Sequence, residues 1–324
     1  MRVLVTGGYG FFGAWIVREL LEGGHQPVLF DLERNPRRLE IVLSAEQIAG
    51  LPFHQGDVSA PGAVLNACKT HGAEGIIHLA GLQVPTCRAR PIDGGRVNVV
   101  GTLEVLEAAR VLGEGISRVV LASSAAVFGP PSMYPSGPLA DDVRLAPGTH
   151  YGWFKLCNEG NARVYGTDHG VKTVALRPWT VYGPGRDVGM TSEPTKAVKC
   201  LALGRSYRIS YGGVQDLQFM PDVAKAFVRC LVSPWKGPHA YNLRGAVVDI
   251  AEFHRTLVQV DPRAASLISH GDSQLPIAPD LCDAALQRDY GPLPPTPLAD
   301  GLARTLGIFK DLLARGQLDT SDLG

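Results

Sequence analysis

The chain has 324 residues, of which 45% are hydrophobic and 19% charged, a size and composition that suit one large globular α/β unit or two joined subdomains. Its 31 basic and 31 acidic residues give zero formal net charge, and without a basic run or arm the sequence does not favour nucleic acid as a partner. No apolar stretch is long enough to span a membrane and no signal-peptide pattern is present, so we expect a cytoplasmic protein without membrane contact.

The first half of the chain alternates short apolar runs with amphipathic ones. The apolar runs predict strands over residues 2–7, 27–31, 51–58, 74–81, 117–129 and 172–178. The amphipathic runs between them predict helices over residues 12–22, 64–71, 97–112 and 151–168. Strands of this kind alternating with helices indicate an α/β fold with a doubly wound parallel sheet of the Rossmann type.

The composition changes after Pro178. Residues 180–195 are rich in Gly, Pro and polar side chains and are predicted to be irregular, and residues 274–297 are rich in proline. Further elements are expected over residues 194–203, 206–213, 223–232, 239–245 and 298–315. We predict a Rossmann domain from residues 1–178 with a returning segment at 214–245. The remaining segments, 179–213 and 246–324, are predicted to form a smaller substrate-binding subdomain over the carboxyl ends of the strands.

Cysteine and histidine spacing gives no sign of a metal site. The six cysteines form no CxxC pair, and the nine histidines show no HExxH pattern. We interpret most of the cysteines as buried apolar residues, and we predict no metal.

A glycine-rich turn follows the first predicted strand. The run GYGFFG fits GxGxxG, and Gly7, Gly10 and Gly13 also fit GxxGxxG. Without Cβ atoms the backbone can turn sharply and let a pyrophosphate approach the free N–H groups of the following helix. A lone match is weak evidence, but here a strand precedes the turn and a helix follows it.

An acidic residue, Asp31, ends the second predicted strand. A carboxylate there accepts hydrogen bonds from ribose hydroxyls and repels a 2′-phosphate, which favours NAD over NADP. Three arginines follow closely, and they leave NADP as an alternative cofactor: Arg34, Arg37 and Arg38. Asp57, after the third predicted strand, is either a contact of the adenine amino group or a solvated turn residue.

Tyr151 and Lys155 lie one helical turn apart on one face of a predicted helix. A tyrosine that acts as a base near neutrality needs a pKa about three units below its usual value, roughly 4 kcal/mol of stabilisation. A neighbouring ammonium and a cationic nicotinamide ring can supply it. Ser124, at the end of the fifth predicted strand, can hold a substrate hydroxyl or a developing oxyanion.

Together these motifs resemble the extended short-chain dehydrogenases/reductases, and within them the NAD-dependent epimerase/dehydratase family. The resemblance rests on ordered matches over about three quarters of the chain: TGGYGFFG, Asp31, GDV (56–58), HLAG (78–81), VNVVGT (97–102), SSAAVFG (123–129), YGWFK (151–155), LRPWTVYGPG (176–185) and PDVAKAF (221–227). It implies a Rossmann fold, bound NAD and hydride transfer at a secondary alcohol.

The resemblance also implies roles for individual residues. Tyr151 would be the general acid/base, Lys155 would tune it and bind the nicotinamide ribose, and Ser124 would position the substrate. Asn98 would be a structural or cofactor-loop residue, without a catalytic role. The cofactor contacts implied are Gly7, Gly10, Phe11, Phe12, Gly13, Asp31, Asp57, Val58, Leu79, Ala80, Gly81, Tyr151, Lys155 and Pro178.

Departures from the family pattern narrow the chemistry. Ala125 and Ala126 stand where sugar 4,6-dehydratases carry two acids, so dehydration is not expected. The Glu of decarboxylating relatives and the Cys/His pair of 3,5-epimerase–reductases are also not evident. Gln215 stands where nucleotide-sugar enzymes usually carry an arginine that pairs with the diphosphate. The reactions that these departures leave open are simple oxidation, reduction and 4-epimerisation.

Candidate substrate contacts fall in the segment after Pro178. They are Ser124, Thr180, Arg186, Thr191 and Ser192, with Arg186 a possible carboxylate clamp and solvated loop residues the alternative. The leading hypothesis is an NAD-dependent oxidoreductase acting on a sugar or a sugar-derived hydroxy acid. A nucleotide-sugar 4-epimerase with tightly bound NAD is the alternative, and a non-catalytic dinucleotide sensor is a third. Relatives dimerise through the helices at 97–112 and 151–168, so we expect a homodimer.

Overall fold

The computed structural model describes residues 1–323. Their strands are β1 (Arg2–Thr6), β2 (Gln26–Asp31), β3 (Phe53–Gln55), β4 (Gly75–His78), β5 (Val119–Ala122), β6 (Thr173–Arg177), β7 (Thr180–Tyr182), β8 (Tyr207–Ile209), β9 (Val214–Phe219), β10 (His239–Asn242), β11 (Ala246–Asp249) and β12 (Ile268–His270).

The helices of the same residues cover both faces of the main sheet and build most of the C-terminal half. They are α1 (Phe11–Glu22), α2 (Ala45–Ala49), α3 (Ala63–His71), α4 (Val84–Ala89), α5 (Pro91–Gly95), α6 (Gly101–Leu112), α7 (His150–His169), α8 (Glu193–Leu203), α9 (Met220–Val232), α10 (Ile250–Val260), α11 (Ala264–Leu267), α12 (Ala284–Tyr290) and α13 (Leu298–Ala314). None of these helices has the length and apolar character needed to cross a membrane.

Seven strands form the main sheet in the order β10-β6-β5-β4-β1-β2-β3, and every pairing is parallel. The strand order reverses between β1 and β4, where Thr6 is aligned with His78. Ligands of open parallel sheets bind outside the carboxyl ends of the strands at such a reversal. The predicted Rossmann-type doubly wound sheet is confirmed.

Two small sheets lie in the C-terminal half: β11-β9-β7 and β12-β8. The predicted returning segment, 214–245, is divided between the parts of the molecule. Its strand β10 completes the main sheet and its helix α9 packs on α1, whereas β9 pairs with β7 and β11. The boundaries of the two proposed domains therefore stay a prediction, with β9 on the side of the smaller one.

Several elements are shorter than their apolar runs suggested. The third predicted strand, 51–58, contains only β3, and the fifth, 117–129, contains only β5. The fifth stops because Ser124 leaves the sheet and caps a short turn, its hydroxyl accepting a hydrogen bond from the Ala126 N–H at 3.1 Å. The segment 180–195, expected to be irregular, contains β7 and the start of α8.

Helix α7 carries the Tyr–Lys pair, and local signals fix both of its ends. The Thr149 side chain caps it by accepting a hydrogen bond from the Gly152 N–H at 3.1 Å, and Gly170 ends it with φ +68°. A Cβ on Gly152 would clash with the Ala126 carbonyl oxygen. The first turn of the helix therefore lies directly against the turn that carries Ser124.

A buried ion pair joins α7 to the sheet beneath the carboxyl edge. The Arg177 guanidinium donates to both carboxylate oxygens of Glu159, from Nε at 2.9 Å and from Nη2 at 2.8 Å. The Ser123 hydroxyl donates to the same carboxylate. Arg177 also donates from Nη1 to the Asp141 carbonyl and to the Asn242 side chain. The ion pair thus links α7 with β6 and β10, and Ser123, directly after β5, bonds its carboxylate member.

Candidate active site

One continuous cavity of about 520 Å³ opens at the carboxyl edge of the main sheet. It is lined by all but two of the residues that the sequence singled out for the cofactor and the substrate. They are Gly7, Gly10, Phe11, Phe12, Gly13, Asp31, Asp57, Val58, Leu79, Ala80, Gly81, Ser124, Tyr151, Lys155, Pro178, Arg186 and Thr191.

The glycine turn has no room for side chains. Gly7 has φ +69°, and a Cβ built on it would lie 2.9 Å from the Ala80 nitrogen. A Cβ on Gly13 would lie 2.5 Å from the carbonyl oxygens of both Gly7 and Gly8. Helix α1 starts immediately after Gly10, so its free N–H groups face the cavity. This bare cradle fits a pyrophosphate group.

Asp31 lies on the cavity wall beside this turn. Its carboxylate accepts hydrogen bonds from the Tyr9 N–H at 3.0 Å and the Leu32 N–H at 2.9 Å. Burial raises the pKa of the carboxyl, and the two N–H donors oppose that rise. Asp57 is exposed at the cavity edge and accepts from the Ser59 N–H and hydroxyl, each at 2.8 Å. Its geometry is that of a turn residue, which leaves the adenine contact a prediction.

The Tyr–Lys–Ser set meets at the other end of the cavity. Lys155 is buried, and its Nζ donates to the Ala122 carbonyl at 2.6 Å. The same Nζ lies 5.5 Å from the centre of the Tyr151 ring. Ser124 lies on the neighbouring turn, where its Oγ accepts a hydrogen bond from the Ala126 N–H. Its hydroxyl also interacts with the Tyr151 phenol.

Burial disfavours charge throughout this end of the cavity. It raises the pKa of Tyr151, and the nearby Ser124 hydroxyl and Arg186 guanidinium oppose that rise. It lowers the pKa of Lys155 to about 8, against the pull of Cys87 and Glu159. Arg186 is thus a cation that lowers the pKa of Tyr151, an interaction that the sequence pattern did not reveal.

Arg186 is the basic residue that lines the cavity next to Tyr151. Its Nη2 donates to Thr191 Oγ1 at 3.1 Å, and its Nε is buried without a partner in the described part of the chain. Its guanidinium carbon lies 5.7 Å from the centre of the Phe11 ring. A buried guanidinium with a free donor suits an anionic ligand.

Two candidate substrate residues do not reach the cavity. Thr180 is fully buried and bonds Gln215 through its hydroxyl at 3.2 Å, and the Ser192 hydroxyl donates to the Gly189 carbonyl at 2.8 Å. Both side chains serve internal contacts. Of the two tryptophans near the motifs, Trp179 lines the cavity and donates to the Ala278 carbonyl, whereas Trp153 is exposed.

The cavity wall also contains residues that the sequence did not single out as cofactor or substrate contacts. They are Tyr9, Phe30, Leu32, Glu33, Asn35, Arg38, Gly56, Leu82, Gln83, Val84, Pro85, Val97, Ala122, Ser123, Ala125, Ala126, Trp179, Val181, Gly189 and Ile277. Most lie on loops whose course depends on the folded chain. Among residues 1–323, no group of three or more His, Cys, Asp and Glu side chains is placed to hold a metal ion.

A family model described as the NAD-dependent epimerase/dehydratase family matches residues 3–243. The chain belongs to this family. A UDP-glucose 4-epimerase of Mycolicibacterium smegmatis is 30% identical over 322 residues, 96% of this chain and 99% of that protein. One from Azospirillum brasilense is 31% identical over 279 residues, 80% of this chain and 77% of that protein.

A solved structure supports the same assignment. The Thermus thermophilus UDP-glucose 4-epimerase, in complex with NAD, is 26% identical, with a TM-score of 0.79 over 96% of this chain and 99% of that one. The resemblance to extended short-chain dehydrogenases/reductases is thus confirmed, and with it an NAD-dependent enzyme. The bare glycine cradle and Asp31 on the cavity wall are the features of this chain that fit NAD.

We expect Gly13→Ala to weaken NAD binding by about tenfold or more. The new Cβ would lie 2.5 Å from two carbonyl oxygens, so the turn and the start of α1 must move apart. Isothermal titration calorimetry with NAD measures the affinity. Gly307→Ala is the matched control, because that glycine lies inside α13 and a Cβ there meets open space. Affinity equal to wild type in Gly13→Ala would contradict the cradle.

Because Lys155 is buried, we expect the difference in free energy of unfolding between wild type and Lys155→Met to depend on pH in cofactor-free protein. Its pKa falls from 10.5 to about 8 on folding, so unfolding takes up a proton between these values. Wild-type stability relative to the variant should therefore rise with pH, gaining roughly 3 kcal/mol from pH 7.5 to 10.5. Urea unfolding at a series of pH values measures it. A difference that stays constant with pH would show that Lys155 is not desolvated.

Proposed function

We propose that the protein oxidises a secondary alcohol of a sugar or a sugar-derived hydroxy acid by NAD-dependent hydride transfer. The observation that carries this proposal is the meeting of Ser124, Tyr151 and Lys155 in one cavity with the glycine cradle, next to Arg186, whose buried Nε has no partner among the described residues. The smaller C-terminal subdomain, through Arg186 and Thr191, would supply the substrate side of that cavity.

NAD, when bound, supplies the acceptor for the hydride that leaves the carbinol carbon. Tyr151 takes the hydroxyl proton onto its phenolate oxygen, so the alcohol loses a hydride and a proton and becomes a ketone. The Ser124 hydroxyl would donate a hydrogen bond to the same substrate oxygen. Lys155, next to the Tyr151 ring and fixed by the Ala122 carbonyl, would hold the nicotinamide ribose.

An anionic substrate group is supported by Arg186. Its buried Nε is without a partner, and leaving a buried donor unpaired is costly, so a carboxylate would satisfy it. The position of Gln215 supports a small acid over a diphosphate. Gln215 is fully buried beside the buried carboxyl of Asp216, and neither lines the cavity. Ala125 and Ala126 line the cavity, and neither can protonate a leaving hydroxyl.

A second candidate is a nucleotide-sugar 4-epimerase. The observation that favours it is that both curated relatives described above are named UDP-glucose 4-epimerases. The same Tyr151 and Ser124 would serve it, because epimerisation removes a hydride and returns it to the opposite face of the ketone. It needs no net release of NADH, whereas the leading candidate does.

Tyr151→Phe should lower turnover by about a thousandfold or more, within the range typical of removing a catalytic acid/base, while NAD affinity changes less than about threefold. Turnover is followed by NADH absorbance with a panel of sugar acids and hydroxy acids, and NAD affinity by calorimetry. Tyr165→Phe, on the same helix with its hydroxyl on Glu107, is the matched control and should stay active.

The same panel separates the two candidates. NADH that accumulates with a hydroxy acid supports the leading one. Interconversion of UDP-glucose and UDP-galactose without NADH, detected by chromatography, supports the epimerase. Full activity of Tyr151→Phe with either substrate would exclude the acid/base role in both.

We also infer a homodimer built on α6 and α7. Their outward faces expose apolar side chains: Val111 is 48% exposed on α6, and Trp153 and Val164 are 56% and 50% exposed on α7. Trp153 and Val164 lie eleven residues apart, three helical turns along one face. The two helices pack side by side, so a second copy would cover the exposed apolar side chains of both.

The six cysteines are free, which supports a reducing, cytoplasmic compartment.

Trp153→Glu should turn the dimer into a monomer, since a charge in the exposed apolar face of α7 would be buried on association. Light scattering at micromolar concentration measures the mass. Leu313→Glu, at an exposed apolar position of α13, is the control and should remain dimeric. A monomeric wild type would overturn the assignment.

A further inference from the structure

The loop that carries Arg186 is fastened to the cofactor side of the cavity. We call residues 183–192 the substrate loop; its backbone turns at Gly183, Gly185 and Gly189, all with positive φ. The Trp15 indole N–H, from α1, donates to the Pro184 carbonyl at 3.0 Å. The second attachment is ionic and is made by Asp187, the residue after Arg186.

Asp187 is held by two arginines from the segment after β2. Arg38 Nη2 donates to Asp187 Oδ1 at 2.8 Å and to Oδ2 at 2.9 Å, and Arg37 Nη2 donates to Oδ2 at 2.7 Å. The Asp187 side chain is only 11% exposed, which limits screening by solvent. This set, Arg37, Arg38 and Asp187, is called the bridge below.

The bridge reaches the cofactor site through Arg38. Arg38 lines the active-site cavity, and its Nη1 lies 3.5 Å from the carbonyl oxygen of Tyr9 in the glycine turn. Arg38 and Asp187 also line a second cavity of about 600 Å³ on the far side. The bridge thus forms part of the wall between the two cavities. At this point ion pairs attach the substrate loop to the segment after β2.

The bridge reaches the substrate site through the peptide that joins Asp187 to Arg186. Arg186 stacks on Phe11 of the same glycine turn and bonds Thr191 within the loop. Fixing the Asp187 carboxylate therefore limits the directions in which the Arg186 guanidinium can point. Arg186 thus contacts the glycine turn directly, and Thr191 is attached to that turn through Arg186.

We propose that Asp187 is a positioning residue that couples the two halves of the site: through Arg38 it holds the glycine turn, and through the chain it aims Arg186. The part concerning Arg186 rests on the proposed function, whereas the part concerning the cofactor does not. Binding at either half then restricts the same loop, so occupancy of one half strengthens binding at the other.

The first test is the rate at which NADH leaves the full-length protein, followed by stopped-flow loss of NADH fluorescence. Asp187→Asn should raise that rate by about tenfold. Asp261→Asn is the matched control: Asp261 is also held by two basic residues, Arg263 and Lys310, and it lines neither cavity. Thermal unfolding of both variants shows that each is folded.

A double-mutant cycle separates positioning from a general structural loss. If Asp187 acts through Arg38, then Arg38→Gln and Asp187→Asn together should raise the NADH release rate no more than the larger single change. Additive effects would show that Asp187 acts independently of Arg38. An unchanged release rate in folded Asp187→Asn would overturn the proposal.

The second test measures coupling with tartrate as a small hydroxydicarboxylate probe. In wild type, tartrate should tighten NADH binding by about fivefold, and in Asp187→Asn the factor should approach one. Coupling that survives in the variant would overturn the substrate half of the proposal. A wild type without coupling would instead contradict the carboxylate assignment of the proposed function, and the NADH release rate would still decide the role of Asp187.

Discussion

The buried pair of Glu159 and Arg177 is the interaction on which the active site depends. Arg177 ends β6 directly before Pro178 of the cavity wall, and Glu159 follows Lys155 by one turn of α7. Ser123, bonded to the same carboxylate, adjoins Ser124. One ion pair therefore fixes the spacing between the helix that carries Tyr151 and the strand ends that face it. A buried pair of this kind contributes little net stability, but loss of one partner leaves an uncompensated charge.

Burial sets the charge state of the site before any ligand enters. His78, enclosed between Thr6 and Thr102, has its pKa lowered to about 3 and is neutral at any physiological pH. Lys155 and Tyr151 are both driven toward their neutral forms. The Arg186 guanidinium, which lines the same cavity, opposes the effect of burial on Tyr151 and lowers the pKa of that phenol.

Local spacing predicted most of the fold and most of the residues that line the cavity, because each motif reports on its own surroundings. Gly13 sits at a turn that admits no Cβ, and Tyr151 and Lys155 share a helix face at any stable geometry of that helix. Spacing could not predict the contacts that form between segments far apart in the sequence. Arg38 and Asp187 are 149 residues apart, and their pairing is decided by how the loops fold back on the sheet. Thr180 does not line the cavity, because β9 packs against it and its hydroxyl bonds Gln215.

The single cavity has a consequence for inhibitor design. Because the glycine cradle and the Arg186 guanidinium line one uninterrupted space, the two ends can be occupied by one molecule. A bisubstrate inhibitor that joins an adenosine diphosphate to a short carboxylate arm would lose its translational freedom once while using contacts at both ends. Its selectivity over relatives would come from the carboxylate arm, since the cradle is the part that such enzymes share.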